Sequence, residues 1–121
     1  MSSQKNQSLL RRMGFALTGL MVAWRSERSL RLQVGTFVIL VIILLAVGLE
    51  PLWWAMVLLT SSVVIAAELF NTALEHLVDH LHPEMHPRIR IVKDCAAAAV
   101  LITACGALVV GLALGLHLLH R

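Results

Sequence analysis

Charge is scarce in this chain. Asp, Glu, Lys and Arg make up 14% of its 121 residues, against 59% hydrophobic residues and a mean hydropathy of +0.83. A soluble domain of this size needs far more polar surface, so that class is excluded. Cysteine is nearly absent. Cys95 and Cys105 stand ten positions apart, a spacing that matches no metal or redox motif, and both sit in an apolar stretch. Buried structural thiols are expected there. No Walker sequence and no Gly-rich phosphate loop occurs, so any nucleotide has to be held by side chains and helix ends. Tyrosine is missing, and the six Phe and Trp do not interleave with the basic residues. The pI of about 9.5 therefore points to a membrane surface and not to nucleic acid. Arg11 and Arg12 interrupt the first apolar region, so no cleavable signal peptide is expected. Asn6-Gln7-Ser8 matches a glycosylation sequon, a tripeptide that arises often by chance.

What remains is helical and apolar. The polar residues 1–7 are expected to be loose. From Ser8, Leu9, Leu10, Met13, Leu17, Leu20, Met21 and Trp24 recur at steps of three and four, with Arg11, Arg12, Thr18 and Arg25 mostly between them. This pattern predicts an amphipathic surface helix over 8–28, lying in the membrane interface. Leu32 to Leu49 carries no charge and is long enough for one hydrocarbon core. Gly48-Leu49-Glu50-Pro51 predicts a tight turn, with Pro51 in the first turn of the next helix and Trp53 and Trp54 in an aromatic belt. A second membrane helix is predicted over 52–81 and a third over 93–119, separated by a break from His82-Pro83 to Pro87 and a basic loop. Ala96 to Ala99 and the pair Gly111 and Gly115 permit close helix approach, a weak signal in a membrane helix. The fold class is thus all-α integral membrane, an N-terminal surface helix plus three spans, in one domain over residues 1–121.

The basic residues orient it. Lys5, Arg11, Arg12, Arg25, Arg28 and Arg31 precede the first span, and Arg88, Arg90 and Lys93 lie in the second connection. The turn between the first two spans has none, and Arg121 alone lies at the far end. The N-terminus and the basic connection are therefore expected in the cytoplasm and the C-terminus outside.

Glu68, Asn71, Glu75 and Asp79 carry the chemistry. At 100° per residue, Glu75 and Asp79 point within about 20° of Glu68, and Asn71 about 60° to the side. Glu68 lies about 16 Å deeper along the helix than Asp79. A carboxylate at that depth costs several kcal/mol unless paired, protonated or solvated in a cavity, and no structural need calls for an aligned set. Acidic oxygens beside Lys and Arg suggest Mg²⁺ and phosphate together, because Mg²⁺ takes one or two carboxylates plus phosphate and water. A desolvated Glu near an alcohol can act as general base. Phosphoryl transfer to a lipid hydroxyl fits this inventory. A small proton-coupled transporter is the rival from another class, because it too uses an intramembrane Glu. It needs neither several aligned carboxylates nor Lys93-Asp94, and three spans suit inverted repeats poorly. His76 and His80 have the i, i+4 spacing of a zinc pair but not the HExxH order. Histidines facing headgroups explain them and His82 better. Glu27, amid Arg25, Arg28 and Arg31, is either a salt-bridge partner or a ligand.

These residues also carry a resemblance. Glu68-Leu69-Phe70-Asn71-Thr72-Ala73-Leu74-Glu75, then Val78-Asp79, then Lys93-Asp94 before small residues, is similar to the signature of the bacterial diacylglycerol kinase and undecaprenol kinase family. Ala23-Trp24-Arg25-Ser26-Glu27 with Arg31 resembles that family's surface-helix segment. The resemblance implies an ATP- and Mg²⁺-dependent lipid kinase of the bacterial inner membrane. It implies a homotrimer with sites between subunits. Diacylglycerol giving phosphatidic acid is the first choice of substrate, with undecaprenol as the alternative. It implies Glu68 as the base, Glu27 and Glu75 as holders of the metal that accompanies ATP, and Asn71 as an ordering residue. It also implies nucleotide contacts from Lys93, Asp94 and the loop Glu84-Met85-His86, with Asp79 and Arg31 in support. Phe15 and Ser8 stand where some relatives have a Tyr and an Arg. The run from Asn71 to His76, and His86-Pro87, lean towards the undecaprenol kinases.

Overall fold

The computed structural model describes residues 8–121, so the expectations for residues 1–7, including Lys5 and Asn6, lie outside the described residues. Four helices follow in order: α1 (Leu9–Ser26), α2 (Arg28–Val47), α3 (Pro51–Leu81) and α4 (Pro87–Leu119). The last three are long and apolar enough to span a membrane. The all-α membrane class is as expected.

Local chemistry explains each boundary. Ser8 is the N-cap of α1, its hydroxyl accepting from the Arg11 N–H at 3.3 Å. One residue, Glu27, separates α1 from α2 by taking an extended conformation (φ −115°, ψ 108°). α2 ends at Gly48, whose φ of +75° is a conformation that side chains with a Cβ rarely adopt. Pro51 opens α3 where its missing N–H has no partner to lose. The loop His82 to His86 is tied internally: the His82 ring meets the Glu84 carbonyl at 2.8 Å. The His86 ring caps α4 by accepting from the Arg88 N–H at 3.1 Å.

Two boundaries differ from expectation. α2 begins at Arg28, four residues before the apolar run, and α4 begins at Pro87, so Arg88, Arg90 and Lys93 ride on its first turns and not in a loop. Hydropathy marks where a helix enters the hydrocarbon, not where it starts, and Arg and Lys are good helix formers. At 31 and 33 residues, α3 and α4 run to about 46–50 Å, well beyond a hydrocarbon core of about 30 Å. Their surplus is the polar last third of α3 and the basic start of α4.

Packing within the chain is sparse. α3 packs mainly along α4, and the apolar core gathers at the end opposite the acidic stripe: Leu44, Val57 and Leu114, flanked by Phe37, Trp53, Trp54 and Val110. Only 11%, 17% and 6% of the apolar windows of α2, α3 and α4 are buried. Cys95 and Cys105, expected to be buried, are both exposed on α4. That helix is apolar on every side, so an apolar neighbourhood along the sequence does not tell which side meets protein. Of the Ala96 to Ala99 run only Ala96 is buried, and Gly111 and Gly115 touch nothing that a Cβ would meet.

Candidate active site

The acidic face of α3 is graded by depth. Glu68 is buried, at 5% exposure; Glu75 is half-buried; Asp79 is exposed. Burying Glu68 requires partners, and α2 supplies them. Ser29 Oγ donates to Glu68 Oε1 at 2.8 Å, and Gln33 Nε2 donates to the same oxygen at 2.6 Å. Ser29 and Gln33 stand one turn apart on one face of α2. Their neighbour Leu30 is 2% exposed. Thr72, also buried, donates to the Glu68 carbonyl at 2.9 Å, one turn along α3. No reasoning from the sequence had singled out Ser29 or Gln33. The available signal was Gln33 itself, a carboxamide inside an otherwise apolar span, with a hydroxyl four residues before it.

Asn71 turns its amide nitrogen to Glu75 Oε1 at 3.5 Å. Its Oδ1, like the Oε1 of Gln33, is buried without a donor among the described residues. Both carboxamides thus give their nitrogen to a carboxylate and hold an oxygen in reserve. Gln33 lines a groove of about 330 Å³ with Thr36, Phe37, Ser61 and Val64, and Asn71 lines one of about 410 Å³ with Phe70, Leu74, Ala96 and Thr103.

Outwards along the stripe, Lys93 crosses from α4 to Asp79, Nζ to Oδ1 at 2.7 Å. Asp94 is paired with Arg90 at 3.3 Å, both side chains about two-thirds exposed. His86 is engaged as the α4 cap, while Glu84 and Met85 are exposed. Arg31 donates to the carbonyls of Trp24 at 2.7 Å and Arg25 at 3.1 Å, closing the end of α1. Glu27, half-buried at the α1–α2 break, makes no ion pair with Arg25, Arg28 or Arg31. The salt-bridge alternative for it is therefore not what the structure holds. Among the described residues no three His, Cys, Asp or Glu side chains converge as a metal cage, the His76 and His80 pair included. Phe15 is exposed on α1.

The arrangement therefore combines a buried carboxylate held by two donors, a second carboxylate ordered by a carboxamide, and a lysine drawn onto the same stripe. The model of the prokaryotic diacylglycerol kinase family matches residues 14–114, which include every one of these side chains. The chain belongs to that family. Among relatives of the prokaryotic diacylglycerol kinases, the diacylglycerol kinase of Synechocystis is 38% identical over 80% of this chain and 56% of its own length. The diacylglycerol kinase of Escherichia coli is 36% identical over 78% of this chain and 77% of its own. The undecaprenol kinase of Bacillus subtilis is 32% identical over 73% and 72%. The chain thus spans little more than half the length of the Synechocystis protein and about three-quarters of the other two.

Proposed function

We propose that this chain transfers the terminal phosphoryl group of ATP to the free hydroxyl of diacylglycerol, giving phosphatidic acid and ADP. The observation that carries the proposal is a carboxylate buried at the deep end of the stripe, placed to meet a lipid hydroxyl coming from the bilayer and the terminal phosphate of ATP coming from the polar end. The family match and the names of the relatives supply the reaction class.

Glu68 accepts the proton of the lipid hydroxyl as that oxygen attacks the terminal phosphorus. The bond from phosphorus to the ADP oxygen breaks, and ADP leaves. Glu75 and Glu27 would hold Mg²⁺, which when bound neutralises charge on the phosphates. The donor set fits: Mg²⁺ asks for only one or two protein carboxylates, and among the described residues neither Glu is committed to a Lys or Arg. Asn71 keeps the Glu75 carboxylate oriented. Lys93 presents its ammonium to the phosphates, exchanging Asp79 for them. Asp94, Glu84, Met85 and His86 border the nucleotide at the start of α4, and Arg31 supports the break that carries Glu27.

Undecaprenol is the alternative acceptor, and one relative is named for it. A homotrimer with sites between subunits agrees with helices that leave most of their apolar surface uncovered in a single chain. We place it in the bacterial inner membrane, N-terminus and site on the cytoplasmic side. The test is transfer from labelled ATP with diacylglycerol and undecaprenol supplied separately in mixed micelles. Transfer to diacylglycerol is expected. Transfer to undecaprenol alone would reassign the lipid, and transfer to neither would end the kinase proposal.

A further inference from the structure

We propose that Ser29 and Gln33 are positioning residues of the transfer step: by holding Oε1 of Glu68 they reserve Oε2 for the acceptor hydroxyl. This rests on Glu68 being the base. The terminal torsion of a Glu side chain is broad, so an unrestrained carboxylate presents either oxygen in many orientations. Here two donors converge on one oxygen, at 2.8 and 2.6 Å, from one face of one rigid helix. The plane of the carboxylate is thereby set, and Oε2 accepts from no donor among the described residues. Gln33 has its own oxygen buried and unpartnered. That is an unfavourable state for an acceptor. Turning the amide over would set two acceptors against each other, so the carboxylate enforces the donating orientation. Gln33 also lines the groove that it shares with Thr36, Ser61 and Val64.

The alternative is that Ser29 and Gln33 only make a buried charge tolerable. A cycle through Glu68 separates the two. Ser29→Ala, Gln33→Met and the double variant are made in the wild-type and Glu68→Gln backgrounds. Each is measured for kcat and lipid KM with labelled ATP, and for binding of a fluorescent ATP analogue. Losing a hydrogen bond to a charged group is expected to lower kcat about ten-fold per donor, with lipid KM and nucleotide binding unchanged. Ser29→Thr, which keeps the hydroxyl, is expected to restore most of what Ser29→Ala loses. In the Glu68→Gln background the residual turnover is expected not to fall further, because the residues act through the missing carboxylate. The proposal is overturned if the double variant keeps the wild-type kcat, if the losses appear in KM alone, or if they persist undiminished beside Glu68→Gln. An inactive Glu68→Gln with an active double variant removes the positioning role and leaves the base. A fully active Glu68→Gln removes both. Should the double variant not fold, the single variants in both backgrounds give the same comparison.

Discussion

At the scale of single residues, the acidic stripe is graded by burial, and each member has its own test. Glu68 is the buried member, and its substitution by Gln keeps size and some hydrogen bonding while removing the proton acceptor. A general base contributes about 10²–10⁴-fold in rate. Glu68→Gln is expected to lower lipid phosphorylation by that order while the protein still binds ATP; near-normal transfer by the purified variant removes it as base. Glu27 and Glu75 make no ion pair among the described residues. Glu27→Gln and Glu75→Gln are each expected to raise the Mg²⁺ concentration needed for half-maximal rate and to lower turnover. Ligands of one ion act as a unit, so the double variant is expected to lose less than the product of the single losses. An unchanged Mg²⁺ titration for either variant excludes that residue as a ligand.

At the scale of helices, the clip between α3 and α4 separates a structural role from a functional one. Lys93 reaches Asp79 at 2.7 Å, but the Asp side chain is 62% exposed. A pair so open to water contributes at most about 1 kcal/mol. Lys93→Met is therefore expected to leave thermal stability nearly unchanged. If Lys93 meets phosphate, the KM for ATP rises about 10–100-fold, the worth of a charge-assisted hydrogen bond. A variant that loses stability and keeps its KM marks the lysine as a clip only. The helices themselves were legible in the amino-acid sequence, because three long, mainly apolar runs separated by Gly48-Leu49-Glu50-Pro51 and His82-Pro83 admit little else. Their starts were not. Arg28 and Arg88 belong to helical turns outside the hydrocarbon, where hydropathy carries no signal. Glu68, Glu75 and Asp79 were legible as a stripe because local periodicity places them together. Ser29 and Gln33 escaped notice because they meet Glu68 across 39 and 35 positions of chain, a contact that only helix packing creates.

At the scale of the whole molecule, charge decides which way the chain lies in the membrane. The described Arg and Lys residues fall on α1, at the α1–α2 break and on the first turns of α4, except Arg121. The short connection between α2 and α3 has none. Three spans carry the end of α4 to the opposite side from the α1–α2 break. Positive residues in short loops stay on the cytoplasmic side, so the break, the stripe and the start of α4 are expected there, with Trp53 and Arg121 at the outer face. The orientation also bears on mechanism, because ATP is made and kept in the cytoplasm, and an outward-facing stripe has no phosphate donor. A C-terminal alkaline phosphatase fusion, active only outside the cytoplasm, is expected to be active. The matching fusion of a fluorescent protein that matures only inside is expected to be dark. The reverse pattern would place Glu75 and Lys93 outside and exclude ATP as their ligand. It would leave Glu68, buried under Ser29 and Gln33, with a different task.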